Sequence, residues 1–119
     1  MAFMALTGLV PQWIEPERYD LSEKGELIER EDVPDELVRV EIKPLNGREY
    51  YSVLQNPGEA SKLACSIGVT GWDNFKDGNG SAVEFSKVKI LEFIPAKYIA
   101  IIGAKIMEIS SVDGAKAKN

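Results

Sequence analysis

The sequence contains no histidine and a single cysteine, and these two absences exclude several classes of protein. Histidine is the side chain that most often acts as a general base near neutral pH, so Ser-His-Asp and Cys-His catalytic arrangements are excluded within one chain. Zinc sites that need a histidine ligand are excluded for the same reason. Cys65 has no second cysteine with which to form an internal disulfide, so nothing points to a secreted, disulfide-rich scaffold.

Long apolar runs are also lacking. No stretch approaches the roughly 20 consecutive apolar residues of a membrane span. The segment 1–10 is apolar, but it has neither the basic start nor the small-residue cleavage site of a signal peptide. We therefore expect a protein of a reduced, cytoplasmic compartment.

The composition is that of one ordinary globular domain. The chain has 119 residues, of which 45% are hydrophobic and 28% are charged. Its 14 basic and 19 acidic side chains give a net charge of −5. Binding to nucleic acid needs a surplus of Lys and Arg, so the acidic balance disfavours a nucleic-acid partner.

The negative charge is concentrated in the segment 15–36, which holds ten acidic and three basic residues and so carries a net charge of −7. Apolar residues are sparse there, so the segment can bury little surface to offset the entropy of ordering it. We predict a solvated, loosely held connection with one short strand or turn near Leu27-Ile28. The alternative is an acidic docking surface for a basic partner.

The clearest strand pattern is the alternation of Val38, Val40 and Ile42 with charged residues, which is typical of a strand with one buried face. Upstream of the acidic segment, the apolar stretch 7–14 contains Pro11, which is excluded from central strand positions. We interpret that stretch as an extended arm that packs on the core or on another subunit.

The helical signals follow. Asn46 is predicted as an N-cap with Glu49 in the capping-box position, and a second helix is predicted over residues 58–68. Residues 86–94 favour a short helix over a strand, and Pro95 suits the first turn of a final helix. The buried stripe of that final helix is predicted to be Tyr98, Ile99, Ile102, Ile106, Met107 and Ile109. The stripe of the first helix is predicted to be Tyr50, Tyr51, Val53 and Leu54.

These elements predict an α+β fold, because helices outnumber strands and the strands do not alternate with helices as β-α-β units. The expected architecture is one small domain with a short N-terminal antiparallel sheet or hairpin and a mostly helical C-terminal part. Its predicted parts are an apolar N-terminal arm (1–14), an acidic connection (15–36), a compact α+β body (37–111) and a flexible tail (112–119).

No catalytic, cofactor or metal site is predicted. Counting Asp73 as the first position of a twelve-residue calcium loop puts Asp77 at position five and Glu84 at position twelve. Position three is Phe75, which cannot bind a metal, so we expect a tight turn between a helix and a strand instead. A short strand at Val83 and Phe85 would return from that turn. Cys65 falls on the apolar side of the second helix and is predicted to be a buried small hydrophobe rather than a reactive thiol.

The candidate partner-binding residues are aromatic and apolar: Trp13, Ile14, Trp72 and Phe75. Trp72 and Phe75 lie three residues apart beside a glycine-rich turn. Such residues are either core anchors or exposed anchors of a protein interface. The same two alternatives apply to Trp13. The sequence thus favours a packing or binding protein over an enzyme.

Three stretches, in this order and spacing, resemble the small tail assembly chaperone-like proteins of long-tailed, siphovirus-type bacteriophages. They are residues 40–50 (VEIKPLNGREY); residues 71–75 (GWDNF) with Asp77, Gly80 and Phe85; and residues 91–95 leading into the helix that ends at Ile109-Ser110. The similarity covers about residues 7–111.

The resemblance implies a non-enzymatic role in virion morphogenesis in the host cell cytoplasm. Such proteins bind the tape-measure protein, keep its hydrophobic helices in solution and help to recruit tail-tube subunits, without remaining in the finished particle. A homo-oligomer is compatible with this role. The alternative is a structural tail or neck subunit that is retained in the virion.

Overall fold

The computed structural model of the protein describes residues 11–111. Residues 1–10 of the predicted arm and the predicted tail (112–119) lie outside the described residues. Within the described range the chain has antiparallel strands in its N-terminal half and a mostly helical C-terminal part, which confirms the predicted α+β fold.

The strands are β1 (Gln12–Ile14), β2 (Tyr19–Leu21), β3 (Leu27–Glu29), β4 (Arg39–Ile42) and β5 (Val69–Asp73). The α-helices are α1 (Gly47–Leu54), α2 (Ala60–Gly68), α3 (Ile90–Phe93) and α4 (Ala96–Ser110). Short 3-10 turns precede β2, α2 and α3, at Pro16–Arg18, Pro57–Glu59 and Lys87–Lys89.

The main sheet has three antiparallel strands in the order β1-β4-β5. Val40 and Ile42 are buried while Arg39 is exposed, which confirms the predicted alternation along β4. Strand β1 lies at the edge of the sheet and begins directly after Pro11. A proline is compatible with this place, because it is excluded only from central strand positions. The partner on the other side, β5, was not predicted, because Gly71 and Asp73 are residue types that are depleted in strands.

The acidic segment (15–36) forms more regular secondary structure than the one short strand or turn that was predicted. The expected strand near Leu27-Ile28 is present as β3, and it pairs with β2 to form a hairpin in which Leu21 faces Leu27. Both strands and the preceding 3-10 turn contact α4. Tyr19 packs against the core, and Ile101, which the predicted stripe omitted, is fully buried in α4. A few apolar residues in register are enough to dock this hairpin despite its charge.

The capping box of α1 is confirmed: Asn46 Oδ1 accepts a hydrogen bond from Glu49 N (2.9 Å), and Glu49 Oε1 accepts one from Asn46 N (2.9 Å). The predicted stripe of α1 is only partly buried. Val53 is inaccessible to solvent, but Tyr51 is 66% exposed and Leu54 is 53% exposed. Helix α1 therefore presents apolar side chains to solvent as well as to the core.

Helices α2 and α4 pack closely against each other. The backbone of Gly103 approaches Ser61 so closely that a Cβ atom at Gly103 would lie 2.8 Å from Ser61 Cα. At the other end, Ser110 Oγ accepts a hydrogen bond from Leu45 N (2.8 Å) and donates one to Ile106 O. The predicted stripe of α4 is confirmed at Ile99, Ile102, Ile106 and Ile109, whereas Tyr98 and Met107 are half-buried.

The expected strand at Val83 and Phe85 does not form; the only pairing near it within residues 11–111 is an isolated bridge between Lys76 and Ala82. The expected turn is present, but it connects β5 to the next 3-10 turn rather than a helix to a strand. Residues 87–93 are helical, as predicted. Among residues 11–111, no helix combines the length and the apolarity that crossing a membrane requires.

Candidate partner-binding groove

An apolar groove lies between the main sheet and the N-terminal half of α4. The sheet side supplies Val38, Val40, Trp72 and Phe75. The helix side supplies Ile94, Pro95, Tyr98 and Ile102, and Pro16 and Glu17 complete the lining. We refer to these ten residues as the apolar groove.

The two walls follow from simple sequence periodicities. Val40 and Trp72 are directly paired across β4 and β5, so their side chains project from the same face of the sheet. Pro95 precedes the first residue of α4 and interrupts the chain after α3. Tyr98 and Ile102 are then one helical turn apart and face the sheet together.

Trp72 is held rigidly in the sheet wall. Its ring makes edge-to-face contacts with Phe75 and with Phe85, each at a centroid distance of 4.9 Å. Its indole N–H donates a 2.7 Å hydrogen bond to Val83 O. The polar atom of the side chain is therefore satisfied internally, and the ring contributes an apolar surface to the groove.

A left-handed turn after β5 brings Phe75 back beside Trp72. Asn74 adopts a φ of 59°, a conformation that asparagine tolerates better than most residues. Its side-chain amide donates a 3.0 Å hydrogen bond to Leu37 O. Farther along, Asp77 Oδ1 accepts hydrogen bonds from Asn79 N (2.8 Å) and Ser81 N (3.1 Å), so its carboxylate serves to close the turn.

The groove is small and almost free of charge. Its volume of about 110 Å³ is well below the ~300–1,000 Å³ of sites that hold cofactors or drug-sized ligands. A cavity of about 150 Å³ accommodates benzene, so this space suits one aliphatic or small aromatic side chain. Among the residues that line the groove, only Glu17 has a carboxylate, and its Oε1 accepts a 2.8 Å hydrogen bond from Val38 N. The geometry fits an anchor side chain of a partner protein.

The four candidate partner-binding residues do not form one site. Trp72 and Phe75 line the groove. Ile14 is only 3% exposed and belongs to the hydrophobic core, so it offers no surface to a partner. Trp13 is 45% exposed and lies on the opposite face of the sheet, where the Arg39 guanidinium stacks on its ring at 4.7 Å.

The other residues that the sequence singled out have structural surroundings. Cys65 is fully buried, as predicted; its Sγ lies 3.3 Å from Ile99 O, and burial raises the pKa of its thiol to about 12. Within residues 11–111, no group of three or more Cys, Asp and Glu side chains is placed to hold a metal ion.

Sequence reasoning missed the helix wall of the groove and the solvent exposure of several apolar side chains on the helices. Tyr98 and Ile102 were predicted as core stripe residues, and only the position of α4 over the sheet shows that they share a cavity with Trp72. The exposed side chains are Tyr51 and Leu54 on α1, and Val88, Leu91 and Phe93 in or beside α3. Their helical spacing gave no signal that they face solvent.

Comparison with known proteins found no matching protein-family model, no matching curated protein and no matching solved structure.

Proposed function

We propose that the protein is a non-enzymatic tail assembly chaperone that binds the tape-measure protein of a long-tailed bacteriophage and promotes tail-tube assembly. The observation that carries the proposal is the apolar groove, whose size suits a single anchor side chain rather than a cofactor. The sequence resemblance over about residues 7–111 is the reason for proposing the tape-measure protein as the partner. The proposed site of action is the host cell cytoplasm.

The groove supports binding of an apolar helix. Helices that dock in grooves insert residues spaced three or four apart, and a few of these anchors supply most of the affinity. The groove offers one such anchor position between Trp72 and Tyr98. Charged residues stand at its helix end, where Lys97 Nζ lies 3.1 Å from Asp20 Oδ1. An apolar strip with a charged rim can hold a hydrophobic helix while the complex remains hydrated.

The test is co-expression with the tape-measure protein of the same genome. A tape-measure protein that is insoluble by itself should become soluble and co-purify with this chain. If it stays insoluble and no complex forms, the proposal fails. The protein content of purified phage particles distinguishes a chaperone from a structural tail or neck subunit. A chaperone should be absent from the particles, and retention of this protein in fixed stoichiometry would contradict the proposal.

A further inference from the structure

The first ten residues of the chain, which we refer to as the N-terminal segment (1–10), lie outside the described residues. Their composition is nevertheless distinctive. All of them except Thr7 and Gly8 are hydrophobic, and none has a charged side chain. The large apolar residues nearest its start are Phe3, Met4 and Leu6. Contiguous apolar surface of this kind is usually covered by protein rather than left in water.

The N-terminal segment is attached within reach of the apolar groove. It joins the described chain at Pro11, which is exposed, and Pro16 lines the groove. The five residue steps between these two prolines span at most about 18 Å, whereas the ten steps from Pro11 back to Met1 can span up to about 36 Å. A segment that turns back along β1 can therefore bring the side chains of residues 1–6 to the groove.

The groove suits the side chains that the segment offers. Glu17 is its one charged lining residue, and the Glu17 carboxylate already accepts a hydrogen bond from Val38 N. The volume of about 110 Å³ suits one aliphatic or small aromatic side chain. Leucine, methionine and phenylalanine bring no polar atom that would need a hydrogen-bond partner in such a lining.

The other end of the chain offers no comparable side chain. Residues 112–119 include three charged residues, and their one large apolar residue, Val112, directly follows Ser111. Ser111 stands at the C-terminal end of α4, whereas the groove lies at the N-terminal half of that helix. Composition and place of attachment together favour the N-terminal segment as the occupant of the groove.

We propose that the N-terminal segment fills the apolar groove of its own molecule with one of its large side chains (Phe3, Met4 or Leu6) until a partner displaces it. A short tether holds such a side chain at an effective concentration of the order of millimolar, so even a weak contact keeps the groove covered. A partner then binds only the fraction of molecules whose groove is open. The displacement step rests on the proposed function, whereas the docking of the segment does not.

Paramagnetic NMR on the full chain tests the docking. A nitroxide attached through Ala5→Cys broadens the signals of nearby protons, and the native Cys65 is fully buried, so it does not take up the label in the folded protein. We refer to the Trp72 indole N–H and the Ile102 methyl groups as the groove signals. They should lose most of their intensity, and the methyl groups of Val88, which does not line the groove, should lose less. Groove signals that keep their intensity would overturn the proposal.

Substitutions in the labelled protein identify the contact. Replacing the three large side chains together should restore the groove signals, because a carboxylate is costly to bury in an apolar lining. The variant combines Phe3→Asp, Met4→Asp and Leu6→Asp. The matched control makes the same change three times at the other end of the chain and should leave the broadening as it is: Val112→Asp, Ala115→Asp and Ala117→Asp. Broadening that survives in the N-terminal variant, or that is lost equally in the control, would overturn the proposal.

The groove side has its own variant. Val38→Lys alters the lining and leaves the N-terminal segment intact, so it should also restore the intensity of the groove signals. Circular dichroism shows whether this variant is folded, and the N-terminal variant decides the outcome if it is not. A folded Val38→Lys protein whose groove signals remain broadened would contradict docking in the groove.

A mixed sample separates docking within one molecule from docking between two. Copies that carry the nitroxide but no isotope are mixed with isotope-enriched copies that carry no nitroxide. The groove signals of the enriched copies should keep their intensity. Broadening in the mixture would show that the segment docks on another copy, which would overturn the proposal.

The displacement step is tested by adding the tape-measure protein to the labelled chain. The groove signals should lose their paramagnetic broadening as the complex forms, and a complex in which that broadening remains would overturn displacement. If no complex forms at all, the proposed function fails, while the docking measured on the free chain is unaffected. The two failures are therefore distinguishable.

Discussion

Gly103 allows α2 and α4 to approach each other, and replacing it with alanine should destabilise the fold. The new Cβ would lie 2.8 Å from Ser61 Cα, 3.0 Å from Ser61 Cβ and 3.1 Å from Ser61 O. Favourable carbon contacts begin near 3.5 Å, so the methyl group is too close by roughly 0.7 Å. Two of the three contacted atoms belong to the backbone, so a change of rotamer cannot relieve the clash.

Two effects of opposite sign decide how much Gly103→Ala changes the free energy of unfolding. Alanine in a helix is favoured over glycine by up to about 1 kcal/mol. Overpacking a well-filled interface costs about 1–3 kcal/mol, and here the two helices must separate. We expect Gly103→Ala to lower the free energy of unfolding by about 0.5–2 kcal/mol in net terms.

Gly47→Ala is the matched control, because Gly47 is the first residue of α1 and a Cβ there meets no atom within 4 Å. It should leave the free energy of unfolding unchanged or raise it by up to about 1 kcal/mol. Urea denaturation followed by circular dichroism measures both variants. A Gly103→Ala protein as stable as the wild type, with Gly47→Ala behaving as expected, would refute the account of the α2–α4 contact.

Further predictions concern two buried groups. Ser110→Ala should lower the free energy of unfolding by about 1–3 kcal/mol, because it leaves the buried Leu45 N–H without its acceptor. The control is Ser66→Ala, which removes only an exposed hydrogen bond to Lys62 O and should have little effect in the same denaturation assay. Cys65 should resist thiol reagents at pH 8 until the protein unfolds, and rapid labelling of the native protein would contradict its burial. Burial raises the pKa of Cys65 from 9.0 to about 12 in the folded protein. The stabilisation linked to this shift is therefore fully present below pH 9 and is lost as the pH rises toward 12. Unfolding of Cys65→Ala should lack this part of the pH dependence.

Local signals in the sequence predicted the elements whose partners are close along the chain. The capping box of Asn46 and Glu49 needs only residues three apart, and both of its hydrogen bonds are present. The alternation along β4 predicted a buried face at Val40 and Ile42 because one side of that strand meets the core. These rules depend on spacing alone.

The remaining features depend on contacts between distant residues. Strand β5 exists because β4 pairs with it, although Gly71 is a poor strand residue. The acidic hairpin docks because α4 offers it a surface, which the charge pattern of residues 15–36 does not show. Trp72 was predicted as a candidate partner-binding residue from its aromatic character. Its hydrogen bond to Val83 O and its place opposite Tyr98 in the groove follow only from the fold.

The most direct test of the central claim is whether substitution in the apolar groove abolishes capture of the tape-measure protein. Val38→Lys places a long side chain in the groove with its ammonium able to reach water, while Val88→Lys makes the same change at a residue that is 75% exposed and outside the groove. Both variants are co-expressed with the tape-measure protein, and the amount of soluble complex is measured. The account predicts that Val38→Lys loses the complex and that Val88→Lys retains it. A complex retained by a folded Val38→Lys protein, or lost only in Val88→Lys, would contradict the groove as the binding site.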